Sequence, residues 1–288
     1  MSFTSRPLGP GFGLCIEGLD ISQPLSADDA QALRRAWTEA HGILLFRNRQ
    51  LSPEQHVAFT QHFGEVYSQG AANNAALASY YLPGHPQIFR VSNKRIDGQP
   101  VGREDAGTYW HSDGSWQADP PIGSLLHALE IPPVGGDTMF ADMYRAYDTL
   151  SPAFKRLLEG LEAEHSLAVA VMKTSYAKEY EGRLDQAAAK KAIHPVVKVH
   201  PQSGRKALFV NPGFTSHIVG LPRDESEAIL AHLYAHATKA ENVYRHRWQL
   251  HDLIMWDNRC NLHYAVADYK AEGTRYMHRT TVKTARAQ

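Results

Sequence analysis

The stretch TYWHSDGSW, residues 108–116, sets a histidine and an aspartate two positions apart, His111 and Asp113, between tryptophans and just ahead of a glycine. On a strand that spacing points both side chains to one face, where an imidazole and a carboxylate can share one cation. The small residues Ser112 and Gly114 leave room beside them. In a chain with 16 histidines, on the order of one His-x-Asp triplet is expected by chance, so the triplet needs a further ligand to mean anything. His263 offers one. It follows the apolar run DLIMWD and the turn-like DNR within DLIMWDNRCNLHYAVADY, and a ligand distant in sequence is normal for a site inside a barrel. Two histidines and one carboxylate on one face of a metal are the facial triad typical of non-haem iron(II), which leaves positions open for substrate and oxygen.

A third stretch, TRYMHRTTV, carries charge where a strand would bury it. If residues 275–282 are extended, Arg275, Met277, Arg279 and Thr281 share one face and Tyr276, His278, Thr280 and Val282 the other. Two arginines on one face are either solvated or an anion site. Inside a barrel each requires a compensating anion, and a bidentate carboxylate suits a guanidinium best. A small dicarboxylate that also chelates the metal accounts for the triad and the arginines together. A distant acid such as Asp142 or Asp257 is the other partner open to Arg279.

These residues need a frame to converge, and the apolar periodicity supplies one. Helices are expected in SADDAQALRRAWTEAH, where Ser26 and Asp29 resemble a capping box, in LSPEQHVAFTQHFG, in LSPAFKRLLEGLEAEH and in ESEAILAHLYAHAT. Short β-type runs lie between them at residues 43–46, 87–91, 124–130, 137–142, 195–200, 207–210, 252–257 and 276–282. Many short strands, interrupted irregularly by helices, argue against a doubly wound βαβ fold and for a mainly β barrel or sandwich with helices outside. Residues 1–288 read as a single domain, in which about 160–200 is a partly helical, mobile insertion.

Composition removes other classes. Formal net charge is +0, so no overall field draws nucleic acid or an anionic membrane. No stretch is long and apolar enough to span a bilayer. The N-terminus MSFTSRPLGPGFG lacks the apolar centre of a signal peptide. Cys15 and Cys260 stand far apart and read as free thiols of a reducing cytoplasm. A cytoplasmic protein acting on a small molecule is expected, with neither nucleic acid nor membrane as partner.

WHSD, PPVGGDT, EAEH, HPQSGRKALFVN, MWDNRCNLHYAVADY and RYMHRTTV together resemble, in order and from about residue 10 to residue 284, the taurine/2,4-dichlorophenoxyacetate dioxygenase family (TauD/TfdA). The resemblance implies a double-stranded β-helix, a cupin-like jelly-roll barrel with outer helices. It implies an enzyme dependent on Fe(II), 2-oxoglutarate and O2 that forms succinate and CO2 while hydroxylating a small acid: a sulfonate, aryloxyalkanoate or alkyl sulfate. By the same resemblance His111, Asp113 and His263 are the iron ligands, and Arg275 and Thr138 hold the distal carboxylate of 2-oxoglutarate. Arg279 contacts the anionic group of the substrate, and the carboxylate at Asp113 points to hydroxylation over halogenation. Family members are commonly dimers or tetramers. The chain departs from the taurine enzyme after FGE, where Tyr67, Ser68 and Gln69 replace a substrate-binding histidine, and at Val171, where an aromatic pocket residue would stand. Tyr80, Tyr81 and Trp116 are further candidates for the substrate wall. Two other classes use the same triad: a zinc hydrolase, which gives Arg275 and Thr138 no task, and a non-catalytic metal-binding barrel.

Overall fold

The computed structural model describes residues 2–68, 78–173 and 184–285. Along the chain run β1 (Thr4–Gly9), β2 (Phe12–Glu17), α1 (Ala27–Glu39), β3 (Ile43–Phe46), α2 (Pro53–Gln61), β4 (Gly64–Val66), β5 (Tyr81–Leu82), β6 (His85–Ser92), β7 (Gly123–Glu130) and β8 (Thr138–Asp142). There follow β9 (Glu162–Ser166), α3 (Leu167–Lys173), β10 (Lys191–Pro195), β11 (Thr215–Ile218), α4 (Arg223–Ala237), β12 (Val243–His246), β13 (Leu253–Asp257), β14 (Asn261–Ala265) and β15 (Tyr276–Ala285). Short helical turns and two small hairpins fill the gaps.

The larger sheet has the order β1-β2-β3-β13-β7-β15-β6-β5, with β4 also on β15. Only β2 and β3 run parallel within it. The second sheet is β12-β8-β14. Residues of both form one apolar cluster: Ile43, Leu45, Phe89, Leu126, Ile254, Trp256 and Met277 from the first, Phe140 from the second. The sheets therefore face each other across a shared core. Helices α1 and α2 cover the opposite face of the larger sheet, where Leu33, Trp37 and Phe59 meet Leu44, Phe46, Leu125, Leu253, Met255 and Val282. β3 and β13 thus alternate between two buried faces, which is why ILLF and LIMW are continuous apolar runs.

The helix starts follow their capping chemistry. The Ser26 Oγ accepts from the Asp29 N–H, and Ser52 and Gln55 form a full capping box with Pro53 in the first turn. One expected helix ends early. After Ser151 the helical turns stop at Leu157, and EAEH continues as β9. β9 is the centre of a three-stranded sheet, β10-β9-β11, so the described part of the segment at 160–200 is as much sheet as helix; residues 174–183, where the mobile insertion was expected, lie outside the described residues. Gly160, at φ +75, makes the turn that an L side chain resists.

β15 keeps the alternation expected of it. His278 and Thr280 face α2: Thr280 Oγ1 is 2.7 Å from Thr60 Oγ1 and 3.1 Å from His56 Nε2. Beside them the His127 Nε2–H donates to the Arg49 carbonyl at 2.7 Å. Burial, with His251 close by, lowers His127 to about 4. Burial, with His127, Arg90 and His85 close by, lowers His278 to about 4. Both are neutral in the fold and take up a proton in the unfolded chain below the ordinary value of about 6.5. Their contribution to stability is complete above that pH and is lost as pH falls through the folded-state values. The unfolding free energy from urea titration is therefore expected to hold from pH 8 to 7 and to fall below pH 6.5, by about 2 kcal/mol per histidine at pH 5, with the midpoint following it. His127→Gln, which keeps a donor for Arg49, should flatten the profile; a wild-type midpoint unchanged between pH 7 and 5 would contradict the assignment.

Candidate active site

His111, Asp113 and His263 converge, though not by the strand geometry that their spacing suggests. His111 forms a single antiparallel bridge with His263 of β14, with backbone hydrogen bonds of 3.1 and 2.9 Å in the two directions. Asp113 already lies in a turn, and Gly114 continues it at φ +63. The Ser112 hydroxyl fixes that turn by donating to the Asn258 carbonyl at 2.6 Å. The bridge sets the two imidazoles 4.0 Å apart, and the turn swings the carboxylate across them. His111 Nε2 is 3.6 Å from Asp113 Oδ1, and His263 Nε2 is 3.8 Å from Asp113 Oδ2. The donor set fits one cation. The His111 Nδ1–H donates to the Tyr109 carbonyl at 2.8 Å, which leaves the Nε2 lone pair facing Asp113. The separations exceed by less than 1 Å the ~3 Å between neighbouring ligands on a cation with bonds near 2.1 Å. Glycines make the approach possible: a Cβ on Gly107 would lie 2.8 Å from His111 Cε1, and one on Gly213 2.6 Å from the Tyr109 ring.

Asp113 is held from a second side. The Ser124 hydroxyl of β7 donates to Oδ2 at 2.9 Å, and Arg279 Nη1 lies 3.1 Å from Oδ1 and 3.4 Å from Oδ2. Burial alone would raise the carboxyl, but the positive charge beside it, that of Arg279 first, holds Asp113 well below the usual carboxylate range. Burial drives His263 in turn well below its ordinary value, His111 and Arg279 adding to the effect. The acid partner of Arg279 is thus neither Asp142 nor Asp257 but the carboxylate of the triad. Asp142 caps the helical turn at residues 143–148, and Asp257 is taken up by Arg259 and His200. His200, Asp257 and Cys260 are the other described cluster of potential metal donors, and that arginine accounts for its carboxylate.

Arg275 lies just before β15 and is 2% exposed. Its Nε–H donates to the Gly136 carbonyl at 3.0 Å and its Nη2 to the Thr138 hydroxyl at 3.3 Å. The Trp248 indole N–H donates to the same hydroxyl at 3.1 Å, and the Trp248 and Tyr269 rings each stand 5.8 Å from the guanidinium carbon. Among the described residues no carboxylate is within ion-pair distance of Arg275, and burial pulls its guanidinium below its ordinary value.

Triad, Thr138 and both arginines line one cavity of about 260 Å³. Tyr67, Tyr81, Phe89, Trp116 and Phe214 give it an aromatic wall, and Lys190 stands at the rim, 5.9 Å from the Trp116 ring. Tyr67, Tyr81 and Trp116 were expected there. Val171 is not part of the lining: it is buried behind it with Ala170 and Ala187, and Leu167, one helical turn earlier on α3, reaches the cavity instead. Tyr80 packs on the Phe89 ring from behind. Gln69 lies outside the described residues. Ser124, Gly107 and Trp248 were not anticipated. A hydroxyl on the strand face that Ser124 shares with the apolar Leu126 and Ala128 was a signal for Ser124, whereas nothing local marked Trp248, which arrives from a loop.

Residues 4–281 match the family described as "Taurine catabolism dioxygenase TauD, TfdA family". The chain is 36% identical, over 91% of its length and 92% of the relative's, to the alpha-ketoglutarate-dependent 2,4-dichlorophenoxyacetate dioxygenase of Cupriavidus pinatubonensis. Its fold is similar to that of AAD-2 in complex with Mn(II) and N-oxalylglycine, with a TM-score of 0.82, 30% identity and 99% of each chain covered. It is also similar to a taurine dioxygenase from Burkholderia xenovorans, with a TM-score of 0.81, 30% identity, 98% of this chain and 89% of that one.

The contact between Gly107 and His111 is open to test. Gly107→Ala should weaken binding of a divalent probe, Mn(II), by about 10- to 100-fold, measured by the EPR signal of the free ion. Gly160→Ala meets the same φ of +75 with nothing within 4 Å. It should cost about 1–2 kcal/mol in stability with Mn(II) affinity unchanged, so equal Mn(II) affinity in the two variants would rule the contact out.

Proposed function

Since this chain belongs to the TauD/TfdA family of taurine catabolism dioxygenases, we propose that it is an Fe(II)- and 2-oxoglutarate-dependent dioxygenase that hydroxylates a small organic acid and forms succinate and CO2. Arg275 is the observation that carries this reading. A fully buried guanidinium without a carboxylate partner is costly, and it shares a cavity with two histidines and an aspartate poised around one point. 2-Oxoglutarate meets both needs with its two ends: the far carboxylate pairs with Arg275 and Thr138, and the keto acid chelates the metal. A zinc hydrolase would use the triad and leave Arg275 and Thr138 unexplained.

Iron(II), when bound, supplies oxygen activation coupled to the oxidative decarboxylation of 2-oxoglutarate. His111, Asp113 and His263 hold it from one side. The Tyr109 carbonyl fixes the tautomer of His111, and Ser124 fixes the carboxylate of Asp113. Leu126, Trp256 and Phe214 line the interior and exclude water. Arg279 holds the anionic group of the substrate. The aromatic wall and the names of the relatives support an aryloxyalkanoate more than a short sulfonate such as taurine. Residues 1–288 are read as one dioxygenase domain whose facing sheets form a jelly roll, working in the cytoplasm as a homo-oligomer.

With Fe(II) present, 2-oxoglutarate and an accepted acid, oxygen uptake and succinate are expected in equal amounts. Anaerobic protein with Fe(II) and 2-oxoglutarate should show a weak visible charge-transfer band, which neither a hydrolase nor an inert barrel would give. Arg275→Ala should weaken 2-oxoglutarate binding by roughly 2–5 kcal/mol, read from a titration of that band; an unchanged titration would remove Arg275 from the cosubstrate site. Of a matched acid and its neutral amide, wild-type protein should turn over the acid, and equal oxygen uptake with both would refute the anion-binding task of Arg279.

A further inference from the structure

Asp113 carries one negative charge, and in the folded chain that charge is already engaged. A single nitrogen of Arg279 reaches both of its oxygens, at 3.1 and 3.4 Å, while Ser124 holds Oδ2. The guanidinium also stands over the Phe89 ring at 5.1 Å and close to Tyr81, and its Nε is buried with no hydrogen-bond partner among the described residues. Arg279 therefore stands between two demands. A cation at the triad needs the carboxylate that Arg279 holds, and a substrate anion needs the guanidinium that Asp113 holds. A positive charge beside the carboxylate also repels a dication directly, and more strongly in a buried site than in water.

We propose that Arg279 couples the two binding events as a positioning residue. With no acid in the cavity it pairs with Asp113 and lowers affinity for the metal. An acid that neutralises Arg279 frees the carboxylate and tightens the metal. Linkage makes the effect reciprocal, so the metal tightens the acid by the same factor. This rests on the reading of the triad as a metal site, and adds to it that the metal site is held below its full affinity until the acid is present. Ser124 is the complement: its bond to Oδ2 leaves Oδ1, the oxygen nearer His111, as the one exchanged between Arg279 and the cation.

The test uses Mn(II), which binds without turnover, with the free ion followed by EPR, for full-length wild type, Arg279→Gln and Arg279→Lys, each with and without phenoxyacetate as the acid. Arg279→Gln is expected to bind Mn(II) more tightly than wild type, on the order of tenfold within the usual 5- to 150-fold range of such couplings. Arg279→Lys, which keeps the charge, should fall between. Phenoxyacetate should tighten Mn(II) on wild type and leave Arg279→Gln unmoved. The wild-type comparison needs no variant, so it stands if a substitution impairs folding. Weaker or equal Mn(II) binding by Arg279→Gln would overturn the proposal and make Arg279 a prop for the carboxylate. Wild-type affinity unmoved by phenoxyacetate would overturn the link to the acid. A wild type that binds Mn(II) no better than Asp113→Ala would instead overturn the metal reading itself, an outcome distinct from the others.

Discussion

A strand covered on both faces has little solvent side on which to leave a charge, and β15 is such a strand over its first half, from Tyr276 to Val282. It is hydrogen-bonded to β7 and β6 along its edges, with a core between the sheets on one face and α2 on the other. Even so, Arg279 projects from one face, with Arg275 just ahead of it, and His278 and Thr280 from the other. Desolvation of these groups costs several kcal/mol each unless partners meet them. On the α2 side the partners are hydroxyls and neutral imidazoles. On the inner side they are Thr138, the Gly136 carbonyl, three aromatic rings and one carboxylate. The cavity is thus less an addition to the core than the part of it that remains polar because β15 runs through it.

The loop that carries His111 and Asp113 depends on a different kind of support. It has one bridge to β14 and no ladder. Side-chain hydrogen bonds tie it down instead: Ser112 to the Asn258 carbonyl, Ser115 to Asn211 and His165, and His194 to the Gln117 carbonyl. His165 and His194 belong to β9 and β10, so the sheet at 160–200 backs the loop from outside. The histidine of EAEH is buried against Ser115, and burial with His194 nearby takes it down to about 3, so it remains a neutral hydrogen-bonding group.

The frame was legible where one physical signal dominates. ILLF and LIMW are buried on both faces and read as strands on hydrophobicity alone, and Ser-Pro starts fixed the helices at residues 52 and 151. The alternation of RYMHRTTV gave the correct faces because a strand has a rigid period. The triad was recognisable from residue type and distance in sequence, yet the reason for its convergence was not. Spacing suggested two neighbours on a strand, whereas a bridge and a turn perform the task, and turn geometry is set by contacts such as Ser112 with Asn258 that lie far apart in the chain. The same limit hid Trp248 and misplaced Val171. A helix fixes its own periodicity but not where along its axis it meets a cavity, and α3 presents Leu167, one turn before Val171 on the same face.

The position of Asp113 in a turn separates two kinds of inheritance. Both histidine backbones belong to the bridge that joins loop and sheet, so a change there is felt by the scaffold. The aspartate contributes no backbone bond to any ladder among the described residues, and its side chain answers to Ser124, Arg279, the two histidines and whatever occupies the triad. Variation at this one codon leaves the backbone frame untouched, and its folding cost falls on Arg279, whose half-buried guanidinium loses its carboxylate. A lineage built on this scaffold therefore reaches new chemistry at residue 113 most readily through changes that also give Arg279 another anion.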